Sequence, residues 1–332
     1  MPYAAFRSIG AFVPEKIMTN KDFEKLIDTS DEWIQKRTGI KERRISEKDE
    51  ASSDLGAKAA QVAIQRAKID KDEIDLVICA TVTPDYLCMP STACLIASKL
   101  GLKPVMAFDI SAACTGFVYA LSLAKAFIES GMKKNVLIVG AETYSSILDY
   151  TDRATCFLFG DGAGACVISA TEDKSEAFID IECSSDGEYE DLIKTPGGGS
   201  KHPCSQEVVD NNMACIKMKG NETYKLAVKT LTSGVEDLLK KNNIDIKNIT
   251  HFIPHQANYR IIKAVGDSLR LDNSQVVVTI DKYGNTSAAS IPMAINYIYE
   301  QNQLKAKDTM IFDAFGGGLT WGCALIPFSP AK

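Results

Sequence analysis

Apolar positions in this chain recur with two different periods, and the period changes several times along the 332 residues. Short apolar runs at 105–110, 249–253 and 276–280 read as strands, the first of them buried. Others repeat at helical spacing, as in Phe117, Ala120, Leu121 and Ala124, and again in Ile291, Ala294, Ile295 and Ile298. Further helical segments are expected at 54–67, 112–130, 222–240 and 257–268. Strands alternating with helices predict an α/β protein with mixed, mainly parallel sheets. In such sheets ligands bind at the carboxyl ends of strands.

The pattern also repeats at long range. KIDKDEIDLVICA (68–80) matches NIDIKNITHFIPH (243–255), with Ile69, Asp70 and Ile74 answering Ile244, Asp245 and Ile249 at a shift of 175. FDISAACTGF runs parallel to TIDKYGNTSA, and NVLIVGAE to DTMIFDAF, at shifts near 170 to 175. A repeat this long is a duplicated domain rather than a solenoid unit. The expected halves are 1–172 and 173–332, joined between 170 and 175 and related by a pseudo-twofold. Superposing them places Cys114 opposite Asn285.

Composition narrows the function. Apolar content of 45% in a chain of this length is enough for two cores. No charged-then-apolar leader and no apolar run near ~20 residues is visible, so the sequence predicts a soluble, cytoplasmic chain. Ten cysteines without CxxC pairs read as reduced thiols, with neither a metal cluster nor a disulfide scaffold. A net charge of −6 argues against nucleic acid or a membrane as the main partner.

Three residues carry candidate chemistry. Cys114 lies where a strand ends and a helix begins, a position whose exposed N–H groups and dipole favour a thiolate and lower the thiol pKa. A lone cysteine can equally be inert packing. His255 follows the strand at 249–253, and Asn285 follows the one at 276–280. Cys, His and Asn at strand ends supply a nucleophile, a base and an amide donor, the ingredients of covalent acyl transfer. His255 could instead be a core histidine, and Gly284-Asn285 a simple turn. His251 reads as structural and His202 as loop.

SDEWIQKRTGI (30–40), DISAACTGF (109–117), TDRATCFLFGDGAGA (151–165), MKGNE (218–222), PHQAN (254–258), GNTSAASIP (284–292) and FGGGLTWG (315–322) occur in that order. With them the chain resembles the β-ketoacyl-acyl carrier protein synthase III family of the thiolase superfamily, which initiates bacterial type II fatty acid synthesis. The resemblance covers nearly the whole chain. It implies a thiolase-like α-β-α-β-α layering and a homodimer, with no cofactor beyond the substrates acyl-CoA and malonyl-acyl carrier protein. Cys114 would take the acyl group from an acyl-CoA primer, expected to be acetyl-CoA, with the backbone N–H groups of Cys114 and Gly317 as oxyanion hole. His255 and Asn285 would stabilise the enolate left by decarboxylation of malonyl-carrier, and its attack would give a 3-oxoacyl carrier protein.

The resemblance further implies that Trp33 and Arg153 sandwich the CoA adenine and that Arg37 meets phosphate. Asn221, Ala257 and Asn258 would line the pantetheine tunnel. Arg260 and Lys263, one turn apart, with Lys225 would dock the acidic carrier protein, although Asp267 and Ser268 stand where further lysines are expected. Met89 stands where some members have an aromatic from the partner subunit, and Tyr144 would line the same primer pocket. Two other readings share this fold: a related acyltransferase with another primer or extender, and a catalytically idle carrier-binding scaffold.

Overall fold

The computed structural model describes residues 1–331, so the last residue of the expected second half lies outside it. The first part of the chain contains β1 (Tyr3–Phe12), β2 (Ile17–Thr19), β3 (Glu42–Arg44), β4 (Leu76–Ala80), β5 (Met106–Ile110), β6 (Asn135–Thr143) and β7 (Asp161–Thr171). Its helices are α1 (Asn20–Phe23), α2 (Asp31–Thr38), α3 (Ser52–Ala67), α4 (Thr92–Lys99) and α5 (Gly116–Glu129). The remainder contains β8 (Asp180–Ser185), β9 (Ile193–Lys194), β10 (Lys217–Met218), β11 (His251–Pro254), β12 (Thr309–Gly316) and β13 (Thr320–Pro327). With these go α6 (Gln206–Asp210), α7 (Gly220–Lys241), α8 (Tyr259–Ser268), α9 (Ile280–Tyr283) and α10 (Ser290–Glu300).

Two sheets organise these elements. The first runs β1-β7-β6-β4-β5 and the second β11-β12-β13-β8. Strands joined through a helix run parallel, as β4 does to β5 and to β6, and β11 to β12. The pairings β1/β7, β6/β7, β12/β13 and β8/β13 are antiparallel, so the sheets are mixed but not mainly parallel.

Alternation along each strand sets the layers. Leu76 and Ile78 of β4 face one cluster, Val77 and Cys79 the opposite one. The first cluster contains α5 and α10 together with inward residues of both sheets, such as Ile138, Phe312 and Ile326. Those two helices therefore fill the middle layer. The outer face of the first sheet packs on α3 and α4, and that of the second on α7 and α8. This is the α-β-α-β-α arrangement.

The two expected halves share local detail. Asp70 and Asp245 cap equivalent short turns, each Oδ1 accepting from the backbone N–H two residues on at 2.9 Å. One matching element is missing, since the run 276–280 does not form a strand. It keeps a single parallel bridge, Val276 to Phe252, and then enters α9. Gln256 takes over its backbone: Nε2 donates to Val277 O at 3.1 Å, while Oε1 accepts from the N–H groups of Thr279 and Ile280 at 2.8 and 3.1 Å.

The equivalence of Cys114 and Asn285 also needs correction. α5 begins at Gly116 and α10 at Ser290, a spacing of 174, each after a 3-10 turn, at 113–115 and 287–289. Ala113 and Ser287 open these turns with the same left-handed backbone, φ 46° and 49°. Cys114 thus corresponds to Ala288, and Asn285 stands three residues earlier.

Candidate active site

Cys114, His255 and Asn285 line one cavity of about 740 Å³ between the two sheets' carboxyl ends and the 144–159 segment. Cys114 sits on the 3-10 turn ahead of α5, not at the helix start itself. The end of β12 presses against it. A Cβ added to Gly316 would stand 2.7 Å from the Cys114 backbone nitrogen and 3.1 Å from its Cβ, so only glycine permits this approach. Gly317 follows on the cavity wall.

The thiol does not have the lowered pKa expected from its position. Burial pushes Cys114 up to about 12, outweighing the opposing effects of the Ser287 hydroxyl and its own backbone N–H. Desolvation of the charged form wins because the residue is only 7% exposed and its turn precedes the helix axis.

His255 is held from behind. Its backbone N–H donates to Asp313 O at 2.8 Å, and its Nδ1 lies 2.7 Å from Ser290 Oγ. That oxygen also accepts from the Gln256 N–H at 3.3 Å, and among the described residues Nδ1 is the one acceptor within reach of the hydroxyl's own proton, which assigns Ser290 as the donor to Nδ1. The ring proton is then on Nε2, a buried atom with no hydrogen-bond partner among the described residues. Burial lowers the imidazole pKa to about 3, which keeps the ring neutral. His255 is therefore a hydrogen-bond donor aimed into the cavity.

Asn285 is oriented to the same end. Its N–H donates to Leu158 O at 2.9 Å and its carbonyl accepts from Gly160 N–H at 3.0 Å. Oδ1 accepts from the Ser287 N–H at 2.9 Å, which leaves the Nδ2 protons for the cavity. Two neutral donors thus face a buried sulfur, an arrangement suited to a developing oxyanion or enolate. No Asp or Glu lines the cavity among the described residues.

Trp33, Arg37, Arg153, Asn221, Ala257, Asn258, Arg260 and Tyr144 also line this cavity, so the expected CoA residues share one space with the nucleophile. The adenine clamp is closed. Arg153 lies 5.1 Å from the Trp33 ring centroid and reaches Asp28 at 3.6 Å, whereas a base between two stacked planes needs about 7 Å. A nucleobase must displace this guanidinium. Asn258 lines the cavity with its amide already engaged, since Oδ1 caps α8 through the Arg260 N–H at 2.8 Å and Nδ2 donates to Arg37 O at 3.2 Å.

The basic patch is weaker than the sequence suggests. Lys263 is paired with Asp267 on its own helix at 2.9 Å, which cancels much of its charge. Arg260 packs 5.3 Å from the Tyr224 ring, and neither it nor Lys225 forms an ion pair among the described residues. Tyr144 is stacked on Phe159 at 4.6 Å inside the cavity. Met89 is not there: it is 79% exposed on the loop before α4, beside the exposed Tyr86 and Leu87. That loop lies outside the cavity of its own chain.

Comparisons with known proteins now bear on this geometry. The family model 3-oxoacyl-[acyl-carrier-protein (ACP)] synthase III matches residues 108–187, and its C-terminal companion matches 239–328. The β-ketoacyl-[acyl-carrier-protein] synthase III of Aliarcobacter butzleri is 77% identical over 332 residues, covering all of both chains. The chain belongs to the β-ketoacyl-acyl carrier protein synthase III family. The Sulfurovum sp. synthase III is 66% identical, over 98% of this chain and 96% of its own. The crystal structure of the Aquifex aeolicus synthase III superposes with a TM-score of 0.90 at 42% identity, over 98% of this chain and all of that one.

Sequence reasoning missed the residues that aim the synthase III donors. Ser287 and Ser290 both stand in GNTSAAS, where hydroxyls every third residue on the cavity side of a helix start were the available signal. Gln256 was inside PHQAN, but its role depends on a backbone segment 21 to 24 residues away.

Proposed function

We propose that this chain condenses an acyl-CoA primer with malonyl-acyl carrier protein, releasing CoA and CO2 and giving a 3-oxoacyl carrier protein that starts fatty acid synthesis. The observation that carries this reading is the convergence of a buried cysteine with two neutral donors in one cavity whose mouth holds Trp33, Arg37 and Arg153. The relatives' names describe the same class of enzyme.

Cys114 attacks the thioester carbonyl, the tetrahedral oxyanion is held by backbone N–H groups of Cys114 and Gly317, and CoA leaves. Malonyl-carrier then places its thioester oxygen between His255 Nε2 and Asn285 Nδ2. Decarboxylation leaves an enolate stabilised by those two donors, and its carbon attacks the acyl-Cys114. Neutral donors suit this step, because negative charge appears on the oxygen only as CO2 departs. The side chains supply this chemistry without a resident cofactor. Asn221 and Ala257 line the pantetheine path, Arg37 meets phosphate, and Arg260 with Lys225 faces the carrier protein.

The same reading places the enzyme in the cytoplasm as a homodimer. β5 is the open edge of the first sheet, Met106 at its start is exposed, and Tyr86, Leu87 and Met89 are exposed on the loop that follows the neighbouring β4. Pairing across that edge buries this surface and carries Met89 towards the second protomer's primer pocket. Mass spectrometry of products from a panel of acyl-CoA primers with malonyl-carrier protein tests the proposal. A 3-oxoacyl carrier is expected with wild type and none with Cys114→Ser; equal product from both overturns it.

A further inference from the structure

The reaction as described lacks a group to take the Cys114 proton. His255 cannot do so, since Nδ1 accepts from Ser290 and Nε2 carries the ring proton. No carboxylate lines the cavity among the described residues. Directly behind the nucleophile, however, is a buried carboxyl with no assigned task. Glu142, the last residue but one of β6, is fully buried. Its Oε2 accepts from Thr81 Oγ1 and the N–H groups of Val82 and Thr83, each at 3.2 Å, and from Thr83 Oγ1 at 2.6 Å. Its Oε1 has no hydrogen-bond partner among the described residues. An orphaned acceptor of this kind calls for an explanation.

Ser287 belongs to the segment packed on both. It opens the 3-10 turn that packs on both the Cys114 turn and β6, it is fully buried, and its left-handed φ of 49° is unusual for a residue with a Cβ. Its N–H is tied to Asn285 and its Oγ lies 3.4 Å from Tyr144 Oη. Against the larger effect of burial, the Ser287 hydroxyl lowers the pKa of both the Cys114 thiol and the Glu142 carboxyl.

We propose that Ser287 and Glu142 form the proton acceptor for Cys114, a relay that approaches the sulfur from behind the cavity. As the sulfur bonds to the thioester carbon, the S–H proton passes to Ser287 Oγ and the Ser287 proton to Glu142 Oε1. The carbonyl electron pair moves to oxygen. Collapse breaks the bond to the CoA sulfur, which takes the proton back through Ser287 as it leaves, so that Glu142 ends ionised as it began. Proton transfer accompanies bond formation, because burial disfavours a free thiolate here.

Burial raises the Glu142 carboxyl to about 7. The other titratable side chains facing it, Cys114, Tyr144 and Cys79 of β4, are held neutral by burial. Asp161 on the adjoining β7 is turned to Ser46 and Ser145. A rise in acylation rate through neutral pH is therefore assigned to Glu142, which must be ionised to accept.

The inference rests on Cys114 being acylated by acyl-CoA. The test is rapid-quench mass spectrometry of Cys114 acetylation by acetyl-CoA in wild type, Glu142→Gln and Ser287→Gly, from about pH 5.5 to 9. Wild type is expected to rise through a titration near neutral pH and level off. Both variants are expected to lose roughly 100- to 10,000-fold at the plateau and to gain rate with pH to the top of the range. Decarboxylation of malonyl-carrier, served by His255 and Asn285, should hold within a few-fold, because residue 287 aims Asn285 through its backbone N–H, which glycine retains. Wild-type acetylation rates in either folded variant, or equal losses in both half-reactions, overturn the relay. Should Glu142→Gln not fold, Ser287→Gly decides alone, because it leaves the anchors of Glu142 in place. Absence of acetylation in wild type would sink the functional reading itself.

Discussion

Replacing Ser290 by alanine removes the hydroxyl that donates to His255 Nδ1 at 2.7 Å and fixes the proton on Nε2. The ring stays neutral, since burial lowers its pKa to about 3. What changes is the tautomer. A buried neutral hydrogen bond contributes about 1 kcal/mol net, up to ~1.5, and 1.4 kcal/mol is a factor of ten. The population presenting Nε2–H to the cavity should then fall by up to about tenfold, and malonyl decarboxylation with it. Complete loss of such a donor costs more, ~100- to 1000-fold. The ordering expected for CO2 release is wild type above Ser290→Ala above His255→Ala. Acetylation of Cys114, which does not use this donor, should stay within about threefold. Labelled CO2 release, intact-mass acetylation and 15N spectra of the imidazole give the three readouts. If both half-reactions fell equally, or if the imidazole spectrum were unchanged while CO2 release dropped, the tautomer argument would be wrong.

Other outcomes follow from the same geometry. His255→Ala and Asn285→Ala should each retain acyl transfer while losing decarboxylation by about 100-fold or more, measured as separate half-reactions. CO2 release in wild type should be independent of His255 titration above about pH 5, because the ring protonates only near 3; a step near pH 6.5 in that half-reaction would contradict this. Arg260→Glu with Lys225→Glu should lower kcat/KM for the carrier substrate more than for acetyl-CoA, with the loss shrinking as salt rises, whereas Lys263→Glu should do less because Asp267 already neutralises that lysine. Gly316→Ala places a Cβ 2.7 Å from the Cys114 nitrogen, about 0.7 Å inside ordinary contact. At ~100-fold per ångström of misplacement, acetylation should slow by roughly 25-fold.

Much of this was legible in the chain, and the gaps have physical causes. That Cys114, His255 and Asn285 would share one cavity was readable because each lies near the end of an apolar run. The strand at 276–280 was not, because a side chain from a distant segment satisfies its backbone, and no local periodicity records a Gln256 that arrives from elsewhere. The misplaced equivalence of Cys114 and Asn285 has the same origin, since matching sequence strings overlooks the three residues that the α9 turn inserts. The thiol's pKa turned on burial, which depends on the opposite half packing over it. Glu142 looked like one more polar residue at the end of a strand; only the fold shows an acceptor oxygen without a donor.

The middle layer has a consequence for how such a chain arose. α5 and α10 are buried because each is covered by both sheets. Half of this molecule on its own would leave one of them with an uncovered apolar flank. A single ancestral unit could have hidden that flank only against an identical copy, its two equivalent helices lying side by side as α5 and α10 do now. Gene fusion would then have been permissive rather than creative: once covalently joined, the copies were free to diverge, one keeping the sulfur and the other supplying the two donors, a division of labour that a symmetric pair could not make.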